Sequence, residues 1–290
     1  MKIEILQPVG YCSGVNNAIL KAIKIKKEHS NKPVYILGSL VHNSHVIDSL
    51  ESIGITNLAD NTSLEEKISS LNDGSIIIFT AHGHDEKVDE IARNKNMIIY
   101  DCVCPIVKAN MSLIKEKIAS NYNIIFVGIK NHPETTACLS ISKYIHLYDA
   151  KTNVFEEFDT KKKVFVTNQT TLNFKELEDI FNYIKEKYPD AEFNNEICPA
   201  TRIRQESILK IDDDVDTVIV VGDKNSSNTK RLFEISSFRN KKASTYLVSS
   251  EDDINTEMFN NKNHIVITSG TSTPREVINS VYEKISKITK

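Results

Sequence analysis

Three of the five cysteines in this 290-residue sequence lie nearly a third of the chain apart. Cys12, Cys104 and Cys198 are separated by 92 and 94 residues. Cys12 follows a strand-like segment in a turn between two glycines, whereas Cys104 and Cys198 are each followed by a proline, which favours the first turn of a helix. Helix N-termini stabilise thiolates, the form that binds metal. The pattern predicts three thiolate ligands, a number that suits an iron–sulfur cluster with one iron left open.

Each cysteine also has a simpler interpretation, because free cysteine is a common small buried residue. That interpretation weakens when the same kind of junction recurs three times. Cys138 is expected to pack inside a helix. Cys102, two residues before Cys104, lacks the following proline but could compete as a ligand.

A second set of residues could bind an anion without using positive charge. Three histidines and three hydroxyl or amide residues lie in polar loops that follow strand-like segments. Imidazole, hydroxyl and amide groups, together with helix N-termini, can hold a diphosphate. No Walker A or dinucleotide-binding glycine motif is present, which disfavours a nucleotide. The residues are His42, His82, His132, Ser226, Asn228 and Ser272.

Glu134, two residues after His132, is a candidate proton donor. On its own it would be an ordinary acidic residue at a helix N-terminus, where the helix dipole favours it. Beside an open metal site and the polar segment 169–171, it becomes a candidate general acid.

The elements that must position these residues follow an α/β pattern. Short runs rich in Ile and Val alternate with amphipathic stretches such as 172–188 and 274–288, with Pro274 in a first helical turn. This alternation predicts parallel sheets, which bind ligands at the carboxyl ends of their strands. The cysteine spacing further suggests three similar modules. The predicted strands are 3–6, 34–37, 76–79, 98–100, 124–127, 164–166, 218–221, 246–248 and 265–267.

The composition excludes several classes of protein. Hydrophobic residues make up 40% and charged residues 26%, as in an ordinary globular chain. With 36 basic against 39 acidic residues, the net charge of −3 disfavours nucleic-acid binding through a general basic field. The apolar runs are far shorter than the ~18 residues of a membrane span, and we see no export signal. We therefore expect a cytoplasmic protein with no membrane partner, whose cysteines do not form disulfides.

Nine segments, in this order, resemble the LytB-type family, the 4-hydroxy-3-methylbut-2-enyl diphosphate reductases. Each segment alone is weak, but together they run from the first strand to the last helix. The similar segments are residues 10–15, 41–43, 81–83, 104–105, 132–134, 169–171, 198–201, 225–228 and 270–274.

The resemblance implies three small α/β domains with mainly parallel sheets, arranged as a trefoil around a central iron–sulfur cluster. In that arrangement the N-terminal strand returns to the third domain. The implied domains are 14–103, 104–197, and 1–13 together with 198–290.

The resemblance also implies roles for individual residues. The family reductively removes the allylic hydroxyl of its substrate, giving isopentenyl and dimethylallyl diphosphate at the last step of the mevalonate-independent pathway. Its 4Fe–4S cluster has three cysteine ligands and one open iron, and a ferredoxin or flavodoxin supplies electrons. Glu134 matches the acid that delivers protons, and Thr170 matches a residue that orients the substrate hydroxyl. Cys12, Cys104 and Cys198 match the cluster ligands; His42, His82, Ser226, Asn228 and Ser272 match the residues that hold the diphosphate, with His132 and Ser227 nearby.

Two other functions compete with this one. Segment 82–85 looks like part of a His-x-His-Asp zinc motif, which would suit a zinc-dependent hydrolase. A noncatalytic iron–sulfur redox sensor would also use the three cysteines, but it would not need Glu134 or the Ser/Asn-rich loops.

Overall fold

Strands and helices alternate along the chain in the computed structural model, which describes residues 1–60, 62–158, 160–239 and 242–289. Two short 3₁₀ helices, Glu251–Asp253 and Thr256–Phe259, lie near the C-terminus. Within the described residues the strands are β1 (Lys2–Ile5), β2 (Val34–Leu37), β3 (Ile55–Leu58), β4 (Ile76–Phe79), β5 (Ile98–Asp101), β6 (Asn123–Gly128), β7 (Ile145–Asp149), β8 (Val154–Phe155), β9 (Val164–Asn168), β10 (Glu192–Phe193), β11 (Thr217–Val221), β12 (Ser244–Val248) and β13 (His264–Ser269). The α-helices there are α1 (Ser13–Glu28), α2 (Ser44–Ser52), α3 (Leu64–Ser70), α4 (Lys87–Asn94), α5 (Pro105–Ala119), α6 (Pro133–Ser140), α7 (Phe174–Lys187), α8 (Pro199–Leu209), α9 (Ser227–Arg239) and α10 (Arg275–Ile288).

The first sheet in the chain is parallel and has the strand order β3-β2-β4-β5. Its central strand β4 is buried along its whole length, as expected for a parallel strand covered on both faces. The carboxyl ends of β4 and β5 lead into the segments that carry His82 and Cys104. These two segments therefore leave the sheet at the same edge.

The second sheet has the order β10-β9-β6-β7-β8. All of its pairs are parallel except the short β7–β8 pair. Strands β6 and β9 are neighbours and are fully buried. Their carboxyl ends lead to His132 and to Thr170, so the two loops start side by side.

The third sheet is parallel and has the order β1-β13-β11-β12. Strand β1 pairs with β13 from Lys2 opposite His264 to Ile5 opposite Ile267. The N-terminal strand thus belongs to the sheet built by the last third of the chain, as the family resemblance implied. Strands β11 and β13 end at the loops that carry the Ser and Asn residues.

The α/β fold with mainly parallel sheets is confirmed, and each of the nine predicted Ile/Val runs lies within or overlaps a strand. Four further strands, β3, β7, β8 and β10, were not predicted. Helix α7 is shorter than the predicted 172–188. The expected place of Pro274 in a first helical turn is wrong: its extended backbone (φ −61°, ψ 146°) puts it at the N-cap, and α10 begins at Arg275.

The chain divides into two compact units. One contains Met1–Asn16, Val41–Val46 and Cys198–Lys290, and therefore the third sheet. The other contains Asn17–Leu40 and Ile47–Ile197, and therefore the first two sheets. The three-domain boundaries and the trefoil arrangement stay predictions. None of the helices in the described residues has the length and apolar character to cross a membrane.

Candidate active site

Glu134 lies in the first turn of α6 and is only 1% exposed. Pro133 opens the helix, a position where its missing N–H leaves no bond unmade. His132 is the N-cap, and its Nδ1 accepts a hydrogen bond from the Glu134 backbone N–H at 3.2 Å. A carboxylate is seldom buried this completely without a partner of opposite charge. The position is therefore unusual for a residue whose only role is to start a helix.

Thr170, directly beyond the end of β9, holds both oxygens of the Glu134 carboxyl. Its backbone N–H donates to Oε1 at 2.8 Å, and its Oγ1–H donates to Oε2 at 2.9 Å. Burial raises the pKa of Glu134 to about 7, although the two hydrogen bonds from Thr170 act in the opposite direction; Glu196 raises it further. A carboxyl group with this pKa exchanges its proton near neutral pH, as a general acid must.

His82 lies in the same compact unit and contacts His132, the N-cap of the helix that carries Glu134. Its ring packs edge-on against the His132 ring, with 5.8 Å between the ring centroids. The Thr80 hydroxyl lies 3.4 Å from His82 Nδ1. Gly83 has a φ of +86°, and a Cβ there would lie 3.0 Å from Met111 Sδ, so only glycine suits the turn. The structure thus brings together His82, His132, Glu134 and Thr170.

Cys104 lies next to the His82 segment and is the N-cap of α5, with Pro105 at the first helical position. Its backbone N–H donates to the Ala81 carbonyl at 3.0 Å. Cys102 is different, because it is buried and burial raises the pKa of its thiol to about 11. Cys102 is therefore held as a neutral thiol, whereas Cys104 lies at a half-buried helix start.

In the other unit, His42 contacts the loops that follow β11 and β13. Ser272 Oγ donates to the His42 carbonyl at 3.1 Å, and the Ser44 backbone N–H donates to Asp223 Oδ2 at 3.1 Å. Burial lowers the pKa of His42, with a smaller opposing effect from Asp223 and a further lowering by Lys230. A lowered pKa favours the neutral form of the His42 imidazole near neutral pH.

Asn228, in the first turn of α9, is a buried side chain with unused hydrogen-bonding capacity. It is 3% exposed, and neither its Oδ1 nor its Nδ2 has a hydrogen-bond partner among the described residues. Nearby, Ser226 Oγ accepts from the Thr229 backbone N–H at 3.4 Å, and Ser227 is the first residue of the helix. A buried amide with no partner costs about 1–3 kcal/mol, so Asn228 keeps hydrogen-bonding capacity that a bound ligand could use.

Cys12 and Cys198 lie in the same unit as this loop. The Cys12 backbone N–H donates to the Thr271 carbonyl at 3.0 Å, and its Sγ accepts from the Val15 N–H at 3.4 Å. Cys198 is the N-cap of α8, with Pro199 at the first helical position. Both thiols are half-buried and neither is in a disulfide.

Across the described ranges, no three His, Cys, Asp or Glu side chains form a preformed metal site. Two of the predicted ligands, Cys12 and Cys198, lie in one unit and Cys104 in the other. The ligand set therefore stays a prediction.

A model of the family described as "LytB protein" matches residues 3–286. The chain belongs to the LytB protein family. Proteins named 4-hydroxy-3-methylbut-2-enyl diphosphate reductase are similar to it along nearly the whole length of both chains. The relative from Malacoplasma penetrans is 40% identical over 288 residues, 97% of this chain and 96% of its own. The relative from Symbiobacterium thermophilum is 34% identical over 292 residues, 99% and 97% of the two chains.

Solved structures extend the LytB match to the fold. The Plasmodium falciparum E-1-hydroxy-2-methyl-but-2-enyl-4-diphosphate reductase is 31% identical, with a TM-score of 0.89 over 100% of this chain and 88% of its own. A second structure is described as the diphosphate reductase that is the terminal enzyme of the non-mevalonate pathway. It is 28% identical, with a TM-score of 0.68 over 99% of this chain and 100% of its own.

The LytB match decides against the zinc-hydrolase alternative, and so does the position of His84. The His84 ring stacks on Phe79 with 3.5 Å between centroids, and its Nε2 lies 2.9 Å from Asp89 Oδ1. Asp85 accepts a hydrogen bond from the Lys87 backbone N–H. His84 and Asp85 are therefore engaged in local contacts with α4, whereas His82 packs against His132.

The sequence of this LytB chain did not identify two residues near the predicted site, Asp223 and Arg204. Asp223 acts electrostatically on His42. Arg204 donates hydrogen bonds to Ala200 in its own helix, which follows Cys198, and to Gly10 in the turn before Cys12. The only sequence signal for Arg204 is its position one and a half helical turns after Cys198, on a helix that begins at a predicted ligand.

Proposed function

We propose that this chain is a 4-hydroxy-3-methylbut-2-enyl diphosphate reductase. Its reaction replaces the allylic hydroxyl by hydrogen, consumes two electrons and two protons, and releases water with isopentenyl or dimethylallyl diphosphate. The observation that carries the chemistry is the Glu134–Thr170 pair, because a buried carboxyl with a pKa of about 7 suits proton delivery to a departing hydroxyl. The full-length similarity to relatives of that name supports the substrate.

The cofactor of the proposed reaction is a 4Fe–4S cluster with Cys12, Cys104 and Cys198 as ligands and one iron left open. The donor set fits: three thiols outside disulfides, two of them at helix starts opened by a proline. A buried Arg204 Nε with no partner among the described residues, near the Cys12 and Cys198 thiols, also fits a sulfur-rich, negatively charged group. When bound, the cluster supplies electrons singly and an iron that acts as a Lewis acid.

The diphosphate is held by neutral donors. Buried and neutral His42, the unpaired amide of Asn228 and the hydroxyls of Ser226 and Ser272 support this pocket in one unit. The N-terminus of α9, which begins at Ser227, adds backbone N–H groups. His82 and His132 are also assigned to substrate binding, on the family resemblance alone. Because the donors are neutral, a chain of net charge −3 needs no basic surface to bind this substrate.

The proton passes through Thr170. The Thr170 backbone N–H occupies Glu134 Oε1, so a proton on the carboxyl would reside on Oε2, the oxygen that the Thr170 hydroxyl contacts. The Thr170 hydroxyl hydrogen is then released to bond the substrate hydroxyl. Glu134 therefore supplies the proton, and Thr170 orients the group that leaves as water.

The electrons come from an external carrier, a ferredoxin or flavodoxin, and the enzyme works in the cytoplasm. The electron carrier rests on the family resemblance and on the need of the cluster for a one-electron donor, whereas the location rests on the similarity to enzymes of that pathway.

The decisive experiment is anaerobic turnover of the allylic diphosphate with a reduced viologen, using protein reconstituted with iron and sulfide. We expect brown protein that forms isopentenyl and dimethylallyl diphosphate. A loaded protein that binds substrate but forms no product would support the redox-sensor alternative and overturn the proposed activity. Turnover by the protein before reconstitution serves as the control.

A further inference from the structure

Arg204 is a buried arginine for which no carboxylate partner exists among the described residues. It lies in the second turn of α8 and is 4% exposed. Nη1 donates to the Ala200 carbonyl at 2.9 Å, and Nη2 donates to the Gly10 carbonyl at 2.7 Å. Its Nε is buried without a partner in the described structure. A buried positive charge is costly unless a negative group lies close to it.

The groups that act electrostatically on Arg204 are two cysteines, both predicted cluster ligands. Burial lowers the pKa of the guanidinium, and the groups that oppose this lowering are the thiols of Cys12 and Cys198. An arginine stays protonated in proteins, so a negatively charged group bound at these two residues would supply the counter-charge that the described residues lack. Thiolates are the form in which cysteine binds a metal.

The hydrogen bonds of Arg204 connect the two segments that carry these sulfurs. Gly10 lies two residues before Cys12, and Ala200 lies two residues after Cys198. The Gly10 peptide is held on both sides, because its N–H donates to Ser269 Oγ at 2.9 Å and its carbonyl accepts from Arg204. Gly10 has a φ of +84°, and a Cβ there would lie 2.9 Å from Arg275 Cγ. The turn before Cys12 therefore has little freedom to move relative to α8.

We propose that Arg204 is a positioning residue of the iron–sulfur site, which fixes the turn of Cys12 against the start of α8 and neutralises the two thiolates. The inference rests on the proposed function, since it requires the cluster. The unpaired Nε–H of Arg204 is a donor for sulfur once the two cysteines bind the cluster as thiolates. A permanent positive charge beside the ligands favours the reduced, more negative state, and so raises the reduction potential. Outer residues of this kind typically change metal affinity by 10–100-fold.

The test compares Arg204→Met, which removes the charge, with Arg204→Lys, which keeps the charge and loses the two-pronged contact. Arg231→Met is the matched control, because Arg231 is also largely buried in this unit but pairs with Glu234 at 2.7 Å. Each full-length protein is reconstituted anaerobically. The midpoint potential is measured by EPR-monitored titration, and iron release is followed with a chelator.

We expect Arg204→Met to lower the midpoint potential and to speed iron release by about 10–100-fold. Arg204→Lys should keep the potential near that of the unaltered protein but still release iron faster. The melting temperature should fall more in the loaded than in the apoprotein form, because the counter-charge exists only with thiolates. A purely structural arginine would lower both melting temperatures equally.

The outcomes separate this inference from the proposed function. If the unaltered protein takes up no cluster, both fail. If it loads and turns over while Arg204→Met keeps the same potential and release rate, the Arg204 inference alone is overturned. Should Arg204→Met fail to fold, Arg204→Lys decides: release faster than in Arg231→Lys supports the inference, and unchanged release refutes it.

Discussion

Both oxygens of the Glu134 carboxyl accept hydrogen bonds from one residue, Thr170, at 2.8 Å from its backbone N and 2.9 Å from its Oγ1. Glu134 lies in α6, which follows β6, and Thr170 lies in the loop after β9. Strands β6 and β9 are neighbours in the second sheet. The backbone contact fixes the orientation of the carboxyl in any variant at position 170. The hydroxyl contact can be changed by itself, so the two functions of Thr170 can be separated by experiment.

Replacing Glu134 by Gln keeps the size of the side chain but removes its transferable proton. We expect single-turnover reduction of the allylic diphosphate to slow by about 10²–10⁴-fold, the usual contribution of a general acid. Binding of substrate should persist because the diphosphate contacts are unchanged. The measurement needs a verified full cluster, and turnover close to that of the unaltered protein would leave Glu134 a structural residue.

Thr170→Val removes the hydroxyl while keeping the backbone N–H that bonds Oε1. The lost hydrogen bond is one that lowers the pKa of Glu134, so this pKa should rise further. Turnover should fall and its decline with rising pH should move to higher pH. Thr170→Ser, which retains the hydroxyl, is the matched variant and should keep both the rate and the pH profile. Equal behaviour of the Val and Ser variants would exclude a relay through Oγ1.

The pKa of Glu134 also predicts how stability depends on pH. Burial raises this pKa from 4.5 to about 7, so between these values the folded state holds a proton that the unfolded state has lost. The contribution is complete below pH 4.5 and is lost as the pH rises through 7, a change of about 3 kcal/mol in the free energy of unfolding. Urea unfolding of the apoprotein from pH 5 to 8 measures it. Glu134→Gln should lack this part of the slope, and identical slopes would argue against the shifted pKa.

Asn228→Ala removes a buried amide that makes no hydrogen bond in the described structure. We expect the dissociation constant for inorganic diphosphate to rise by about tenfold, equivalent to one net hydrogen bond of ~1.4 kcal/mol. The melting temperature of the apoprotein should not fall, because no internal bond is broken. Asn225→Ala, at an exposed position of the same loop, is the control in calorimetry. A loss of stability with unchanged affinity would contradict a ligand-binding role.

Cys102 and Cys104 offer an internal comparison for the cluster ligands. Cys104→Ser should strip or cripple the cluster, since it removes one of three thiolates. Cys102→Ser should leave iron and sulfide content largely intact, because burial holds that thiol neutral. Anaerobic iron and sulfide analysis of both variants is the measurement. Equal loss in the two would make Cys102 a ligand.

The sequence predicted every strand with a long apolar run and some of mixed composition, such as β1 (Lys-Ile-Glu-Ile), but it overlooked others such as β3 and β7. Runs such as 76–79 are buried on both faces, so their residues are continuously hydrophobic. Strands β3 (Ile-Thr-Asn-Leu) and β7 (Ile-His-Leu-Tyr-Asp) carry polar residues because they are partly exposed. How far such a strand is buried depends on residues that are distant in the sequence, and local composition does not reveal them.

The sequence predicted candidate site residues from their positions after strands. It did not predict how deeply each of them is buried. His42, His82, Glu134 and the Ser/Asn loops were placed by their position after strand-like segments. The 1% exposure of Glu134 and the isolation of Arg204 from carboxylates depend on packing between distant segments. The contact from Arg204 to Gly10 spans 194 residues, and no periodicity encodes such a pair.

The pairing of β1 with β13 has a consequence for synthesis on the ribosome. Residues 2–5 leave the ribosome about 260 residues before their partners in the sheet, residues 264–267. Until then the first strand has an unpaired edge and the turn of Cys12 has no Thr271 carbonyl to bond. The strands within residues 34–101 pair only with one another, and so do those within residues 123–193, so these two sheets can form earlier. The unit that carries Cys12 and Cys198 is therefore completed only after residues 264–267 have been made.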